Sequence, residues 1–284
     1  MKNHNWLHLS LFSFATIATA SSAAWAGPAV SDGEAPSTVV KGPAAPVPAA
    51  SDPNIDRGFL LPTAMTQPAR SLTYNNYELL LHGFTYGITD RVQTSVTVLS
   101  PIVRDMPLLG LASAKWQFVS TPHLHLAVQG SAGMLHEFAQ NDVSGTTAYT
   151  LGAGVLASFC PREDCATLLS ASATYQAGFG ANQDQASHSV IYGGSIVQRI
   201  SPHVKLLGEV ASLVVRNPSS ENDFSNAPGL VANYGVRFHT GSIACDIGFM
   251  KPIFTDFFAG GDGNNRSDDP FLLGLPFVNV SYRW

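Results

Sequence analysis

The amino-acid sequence predicts an all-β fold, namely a closed antiparallel transmembrane β-barrel of about twelve strands. From residue 71 onward, apolar and polar residues alternate with a period close to two, and no stretch keeps a helical period long enough for a helix. The apolar faces persist for roughly 9 to 11 residues, the length of a tilted strand that crosses the hydrocarbon layer. Only 12% of the residues are charged although 45% are hydrophobic, whereas an ordinary soluble domain has about 25% charged residues.

The composition also excludes several classes of protein. The chain has 284 residues, with 15 Lys and Arg against 20 Asp and Glu, and its formal net charge of −5 argues against nucleic acid as a partner. Beyond residue 26 there is no run of about 18 apolar residues, so membrane-spanning helices are not expected. Two classes remain open: a membrane β-barrel, and a secreted soluble β-sandwich, whose strands also alternate.

The N-terminal region predicts export from the cytoplasm. Lys2 precedes an apolar stretch at 7–20, and Ala24-Trp25-Ala26 has the small-x-small form of a signal peptidase site. An uncleaved anchor is the alternative. The next segment is dominated by Pro, Ala, Ser and Gly, which cannot bury enough apolar surface to fold. The predicted organisation is a signal peptide at 1–26, a disordered periplasmic linker at 27–56 and a barrel at 57–284.

Strand positions follow from the alternation and from the turns between the alternating segments. Eleven strands are predicted directly, near 71–87, 91–100, 110–119, 123–135, 146–159, 166–178, 189–200, 203–215, 229–239, 242–251 and 271–284. Short polar turns alternate with long polar loops, as expected when one end of a barrel faces the periplasm and the other the exterior. Because single-chain bacterial barrels have an even number of strands, 58–63 is expected to supply the twelfth. Ten strands is the alternative if 58–63 lies inside or below the barrel.

The two faces of each strand differ in chemistry. In the strand at 123–135, Leu124, Leu126, Val128, Ala132 and Met134 share one face, whereas His123, His125, Gln129 and Ser131 share the other. The strands at 146–159, 166–178 and 229–239 repeat this arrangement, with small Gly, Ser and Thr residues on the polar face. This pattern predicts apolar side chains toward lipid and small polar side chains toward a lumen.

The last strand carries a recognisable ending. Val278, Val280, Tyr282 and Trp284 share one face, and the final residue is aromatic. This ending resembles the C-terminal signature by which outer-membrane β-barrel proteins of Gram-negative bacteria are recognised by their assembly machinery. The resemblance implies a location in the outer membrane, with outer-membrane lipid and the barrel assembly machinery as partners. It implies no activity.

The charged and imidazole side chains on the polar faces are the candidate functional residues. They are Glu78, His82, Lys115, His123, His125, Arg199, Lys205, Glu209, Arg237, His239, Asp246 and Arg283. Five of them are Lys or Arg and three are Asp or Glu. One interpretation is a set of internal ion pairs that hold a passive structural barrel closed, since a buried charge is costly unless it is paired. The other is a narrow porin-like pore with a slight anion preference, which would pass small solutes.

Catalysis and metal binding are less well supported. An outer-membrane lipid or peptide hydrolase, the alternative function, needs a nucleophile within reach of a His base, yet His188 and Ser189 are strand neighbours and point to opposite faces. We therefore expect no enzyme activity, no cofactor and no metal. Cys160 and Cys165 bracket a polar turn and are predicted to form a disulfide, with a metal site as the alternative.

Overall fold

The computed structural model describes residues 52–99, 107–138, 146–180, 186–216, 229–254 and 274–284. The predicted signal peptide and most of the predicted linker lie outside these residues, as do most of the long loops. Within the described ranges, no helix is long and apolar enough to cross a membrane.

The described residues form twelve β-strands. They are β1 (Leu72–Tyr77), β2 (Leu81–Thr89), β3 (Val92–Leu99), β4 (Leu108–Ser120), β5 (Leu124–Glu137), β6 (Thr146–Phe159), β7 (Thr167–Gly180), β8 (Ser187–Ser201), β9 (Val204–Arg216), β10 (Gly229–Thr240), β11 (Ile243–Phe254) and β12 (Leu275–Arg283). Each strand pairs antiparallel with its neighbours in sequence, and β1 pairs with β12 to close the barrel. In the closing ladder Tyr74 lies opposite Tyr282. The prediction of a closed antiparallel barrel is confirmed, and a two-sheet sandwich is excluded.

The strand count is correct for a different reason from the one predicted. The segment 71–87, predicted as one strand, is β1 and β2, and the chain reverses between them at Glu78 and Leu79, whose φ angles are 53° and 61°. No Gly or Pro marks this reversal; instead the Asn76 side chain accepts a hydrogen bond from the Leu79 amide. The segment 58–63, predicted as the twelfth strand, is not a wall strand but lies inside the barrel.

Polar side chains lie inside the barrel and apolar ones outside, the reverse of a soluble protein. Inward-facing Gln93, Ser113, Thr174, Asn233 and Asn279 are all at most 7% exposed. Outward-facing apolar side chains remain open, including Leu151, Val155, Ile196, Val210 and Ile247, and so do Val278, Val280, Tyr282 and Trp284 of the last strand. Such an outward apolar surface requires lipid to cover it.

The two ends of the barrel differ. Short connections join β2 to β3, β4 to β5, β6 to β7, β8 to β9 and β10 to β11 at one end, which we call the turn end. Cys160 and Cys165 form a disulfide in the connection from β6 to β7. The opposite end, the loop end, carries the longer connections and the short reversal between β1 and β2.

Candidate functional site: a plugged lumen

A segment N-terminal to β1, residues 52–67, lies inside the barrel; we call it the plug. It folds back on itself as a hairpin, in which the Gly58 amide donates to Leu61 O (2.9 Å) and the Thr63 amide to Asp56 O (2.9 Å). The sequence had assigned 52–56 to a disordered linker, but Asp52, Asn54 and Asp56 are at most 4% exposed. The linker prediction is therefore wrong for these residues.

Both limbs of the plug leave the barrel at the turn end. The entering limb meets the end of β12, where an Arg283 Nη1 donates to Asp52 O (3.3 Å). The returning limb meets the turn between β2 and β3, where Thr66 Oγ1 donates to Asp90 O (2.7 Å). The Gln67 side chain donates to Pro53 O (2.6 Å) and so joins the two limbs. The tip of the hairpin points toward the loop end.

The Arg237 side chain of β10 binds backbone carbonyls of the entering limb. Its Nε and Nη2 donate to the two carboxylate oxygens of Asp246 on β11 (2.6 and 3.0 Å). Its Nη1 donates to Asn54 O (2.9 Å), and its Nη2 also bonds Gly58 O. The Asp52 carboxylate of the plug pairs with Arg237 and with Lys205. A guanidinium suits this role because its five donors are fixed in one plane.

Glu209 of β9 holds the tip. Its carboxylate accepts hydrogen bonds from three successive plug amides, those of Phe59, Leu60 (2.9 Å) and Leu61 (3.0 Å). Three convergent N–H groups form the kind of concave donor site that binds anions. The wall therefore recognises the shape of the plug backbone at this point, and not a particular plug side chain.

On the other side of the lumen, β3 and β4 hold the returning limb. The ammonium of Lys115 donates to Thr63 O (3.0 Å) and Asp56 O (3.2 Å). The Gln93 side chain accepts from the Gln67 amide (2.8 Å) and donates to the Asp56 carboxylate (2.9 Å). Both limbs of the plug are thus bound to the wall by side chains that reach inward.

The plug also supplies the apolar core of the barrel. The Phe59 ring is fully buried against Phe277 (ring centroids 4.7 Å apart) and lies over Gly235 and Gly248 of β10 and β11. Leu61 packs on Ile191 and Ala211, and Ala64 packs on Ala127 and Leu156. Each of these contacts joins the plug to a different part of the wall.

Nine of the twelve predicted lumen residues face the interior: Lys115, His125, Arg199, Lys205, Glu209, Arg237, His239, Asp246 and Arg283. Three predictions are wrong. Glu78 is exposed in the reversal between β1 and β2, and His123 is exposed in the turn before β5. His82 faces outward, where its Nδ1 lies 2.7 Å from Tyr74 Oη.

The face assignment near the reversal between β1 and β2 was wrong because 71–87 was predicted as one strand and because the inward side chains next to the reversal are apolar. Tyr77 and Leu81 point into the lumen and belong to the apolar cluster around Phe59. Alternation alone assigns such residues to the lipid face. The plug was missed for a related reason, although one signal was present: the Pro- and Ala-rich composition ends at Asp52, and Phe59, Leu60 and Leu61 follow soon after.

An outward apolar band, an inward polar face and closure of β1 on β12 together define the architecture of outer-membrane proteins. The chain is an outer-membrane-type β-barrel. Among solved structures it is similar to LpxR from Salmonella typhimurium (10% identity, TM-score 0.42), in an alignment that covers 75% of this chain and 99% of LpxR. It is also similar to the NanC porin (10% identity, TM-score 0.42), with 75% of this chain and 97% of NanC covered.

A third similar structure is OmpT of Vibrio cholerae (9% identity, TM-score 0.40). That alignment covers 72% of this chain and 64% of OmpT, so the barrel spans less than two thirds of its length. No protein-family model and no curated protein matches the sequence. The likeness to these structures concerns the fold alone.

Proposed function

We propose that this outer-membrane-type barrel is a narrow channel that its own plug holds closed, with a preference for small anions when the plug leaves. The observation that carries the proposal is that both limbs of the plug enter from the turn end. A hairpin inserted in this way can withdraw without opening the closed sheet. In the orientation that the sequence predicts, the turn end faces the periplasm, so the plug would withdraw into the periplasm.

The plug's bonding pattern supports withdrawal. Within the described residues, the backbone-to-backbone hydrogen bonds of 52–67 all join plug residues to each other. The plug is therefore attached to the wall by side chains and packing, and not by a β-ladder. Removing it breaks no strand pairing.

The charges on the wall support the anion preference. Inward-facing basic groups include Lys115, Lys205, Arg237 and Arg283, whereas the inward acidic groups among the described residues are Glu209 and Asp246. Asp52 and Asp56 of the plug offset part of this excess. A lumen without the plug would be net positive, which favours anions in a narrow pore.

Planar-bilayer conductance of the refolded protein tests the proposal. The intact protein is expected to show no sustained current, whereas a variant that lacks residues 52–67 should show stepwise currents with an anion-selective reversal potential. Because deletion of the plug also removes the apolar core of the barrel, a point variant provides a second test of the proposal. Phe59→Asp places a charge at a fully buried site and should expel the tip.

Leu79→Asp is the matched control for Phe59→Asp, because Leu79 is 77% exposed in the reversal between β1 and β2 and should leave the channel closed. Heat-modifiable migration on a gel verifies that each variant has closed as a barrel. If both Phe59→Asp and the deletion fold but conduct no current, the channel proposal is wrong and the protein is a passive structural barrel.

We further propose that the protein is not an enzyme. Among the described residues, no histidine hydrogen-bonds a carboxylate, which is the arrangement that orients a catalytic base. Ser120 Oγ lies 3.4 Å from His125 Nδ1, but the same nitrogen is bound by Gln117 at 2.9 Å. The hydrolase alternative would be supported if the purified protein cleaved lipid esters and Ser120→Ala abolished the cleavage.

A further inference from the structure

The turn end holds a cluster of two cysteine sulfurs and an imidazole next to the returning limb of the plug. The Cys160–Cys165 disulfide lies between β6 and β7, and His125 reaches it from β5. One nitrogen of His125 and the two sulfurs lie within 4.8 Å of one another. The chain sequence around the cysteines contains no histidine, so only the fold assembles this group of three.

The imidazole of His125 is buried with one nitrogen uncommitted. Its Nδ1 lies 2.9 Å from Gln117 Nε2 on β4. Its Nε2 is buried and has no hydrogen-bond partner among the described residues, and the whole residue is only 7% exposed. A buried polar atom without a partner is unusual and calls for an explanation. Because Nδ1 is engaged by Gln117, the Nε2 is the ring nitrogen available to bind an ion.

The surroundings are suited to a soft metal ion. Cys160 is fully buried in an apolar cluster with Leu168, Val197 and the plug residue Met65, whose side chain is a thioether. Thiolate, thioether and imidazole ligands favour Cu(I) and Zn(II), and a sulfur-rich, water-poor site favours Cu(I) of the two. Hard cations prefer oxygen ligands, and none of the three clustered groups is a carboxylate.

We propose that Cys160, Cys165 and His125 form a Cu(I)-binding site when the disulfide is reduced. Reduction proceeds by exchange with a dithiol donor: one donor thiolate attacks the sulfur of the partly exposed Cys165, and the Cys160 thiolate leaves. The second donor thiol then attacks the mixed disulfide, which releases Cys165 and oxidises the donor to its own disulfide. Binding of one Cu(I) by the two thiols releases two protons, and His125 Nε2 supplies the third ligand.

The proposal does not depend on the plug acting as a gate. In the oxidised protein the S–S bond closes the turn between β6 and β7, and in the reduced protein the metal ion would close it instead. The barrel would therefore keep this turn intact in both redox states.

Anaerobic titration tests the site. The refolded protein is reduced with a dithiol, separated from the reductant, and titrated with Cu(I) in competition with a chromophoric Cu(I) chelator. The reduced protein should take one equivalent of Cu(I) from the chelator, and the oxidised protein none. Cys245→Ser is the matched control, since Cys245 lies on β11 away from the cluster and is a free thiol; this variant should bind as the wild type does.

Two variants identify the ligands. The Cys160→Ser/Cys165→Ser double variant should lose binding. His125→Asn should weaken Cu(I) binding more than about tenfold. Loss of a group that only hydrogen-bonds to a metal ligand already costs roughly tenfold in affinity, and His125 is proposed as a ligand itself. The proposal fails if reduced wild type binds no better than oxidised wild type, a comparison that needs no variant to fold. It also fails if His125→Asn, shown by heat-modifiable migration to be closed, binds as tightly as the wild type.

Discussion

Two parts of the barrel wall face the lumen with different chemistry. The wall of β9, β10 and β11, the charged wall, presents Lys205, Glu209, Arg237 and Asp246 to the plug. The wall of β5, β6 and β7, the small-residue wall, presents residues such as Ser131, Gly152 and Thr174, and its described inward side chains include no Asp, Glu, Lys or Arg. Its Ser158 Oγ accepts a hydrogen bond from the Ala64 amide of the plug (2.9 Å). Buried charge is thus concentrated where the plug backbone turns.

The difference shows that the charged wall and the plug depend on each other. A buried ion is destabilising unless partners replace its lost hydration. Arg237 has those partners only with the plug in place, because plug carbonyls and Asp52 complete the set that Asp246 begins. The described inward side chains of the small-residue wall include no Asp, Glu, Lys or Arg, so loss of the plug should affect this wall less.

The largest effect is expected at Arg237. Arg237→Ala leaves Asp246 and Asp52 buried without their main cation, and breaking a buried ion pair in this way costs about 3–5 kcal/mol. The free energy of unfolding in urea, measured by tryptophan fluorescence in detergent or lipid, should fall by that amount. Ser172→Ala, on the inward face of the small-residue wall, should change it by less than about 0.5 kcal/mol.

Arg237→Lys sharpens the same comparison. A lysine retains the charge but cannot bond Asp246 through two nitrogens and the plug carbonyls at the same time, so an intermediate loss is expected. Equal stabilities of Arg237→Ala and Ser172→Ala would contradict the interdependence of charged wall and plug.

The next effect is expected at Glu209. Glu209→Gln keeps the size of the side chain but replaces one accepting oxygen by an amide that donates, opposite amides that also donate. Loss of hydrogen bonds to a charged acceptor costs about 1.5–3 kcal/mol. Hydrogen exchange of the Phe59, Leu60 and Leu61 amides should become faster, while amides in β6 keep their protection. Faster exchange across the whole barrel would indicate a general loss of stability and not a local release of the tip.

The sequence predicted the wall of the barrel well and its contents poorly, for a physical reason. Lipid imposes one rule on every outward position, so residues such as Leu151 and Val155 reveal their face by alternation alone. No comparable rule governs the lumen. Arg237 and Glu209 could be assigned to the interior, but their partners are backbone groups of residues about 150 to 180 positions away.

Tyr77 is a wall residue whose position could not be predicted from the sequence. Its inward position is understandable only when Phe59 is known to fill the lumen, where both rings belong to one apolar cluster. A Pro- and Ala-rich start suggests a linker, and the few apolar residues that follow cannot by themselves show whether they pair as a strand or fill the interior. The plug is thus a tertiary feature with a weak sequence signal.

A loss of stability no larger than that of Glu209→Gln is expected for a change where the plug leaves the barrel. A Cβ added to Gly87 of β2 would lie 2.0 Å from Pro68 O and 3.0 Å from Gln67 O, both in the exit of the returning limb. Gly83 is on the same strand and face, and the three atoms nearest to its added Cβ belong to Thr97 and Asn75 of the wall, the closest being Thr97 Oγ1 at 3.3 Å. Gly87→Ala should lower stability by about 1–3 kcal/mol through overpacking and expose the plug to added protease, whereas Gly83→Ala should not. Equal protease sensitivity of the two variants would show that the returning limb is not held at Gly87.

The smallest expected effect is a loss of stability at low pH that is caused by a carboxylate of the plug. Burial alone would raise the pKa of Asp56, but the charges of Arg57 and Lys115 outweigh it and lower the pKa to about 2. An unfolded Asp titrates at about 3.9, so this carboxylate contributes stability that is fully present above about pH 4 and is lost as the pH falls through about 2.

Urea unfolding at a series of pH values should show this decline in the wild type and a flatter profile in Asp56→Asn. Glu163→Gln, at an exposed position in the turn between β6 and β7, should keep the wild-type slope. If Asp56→Asn kept that slope as well, the acid dependence would come from other carboxylates and not from Asp56.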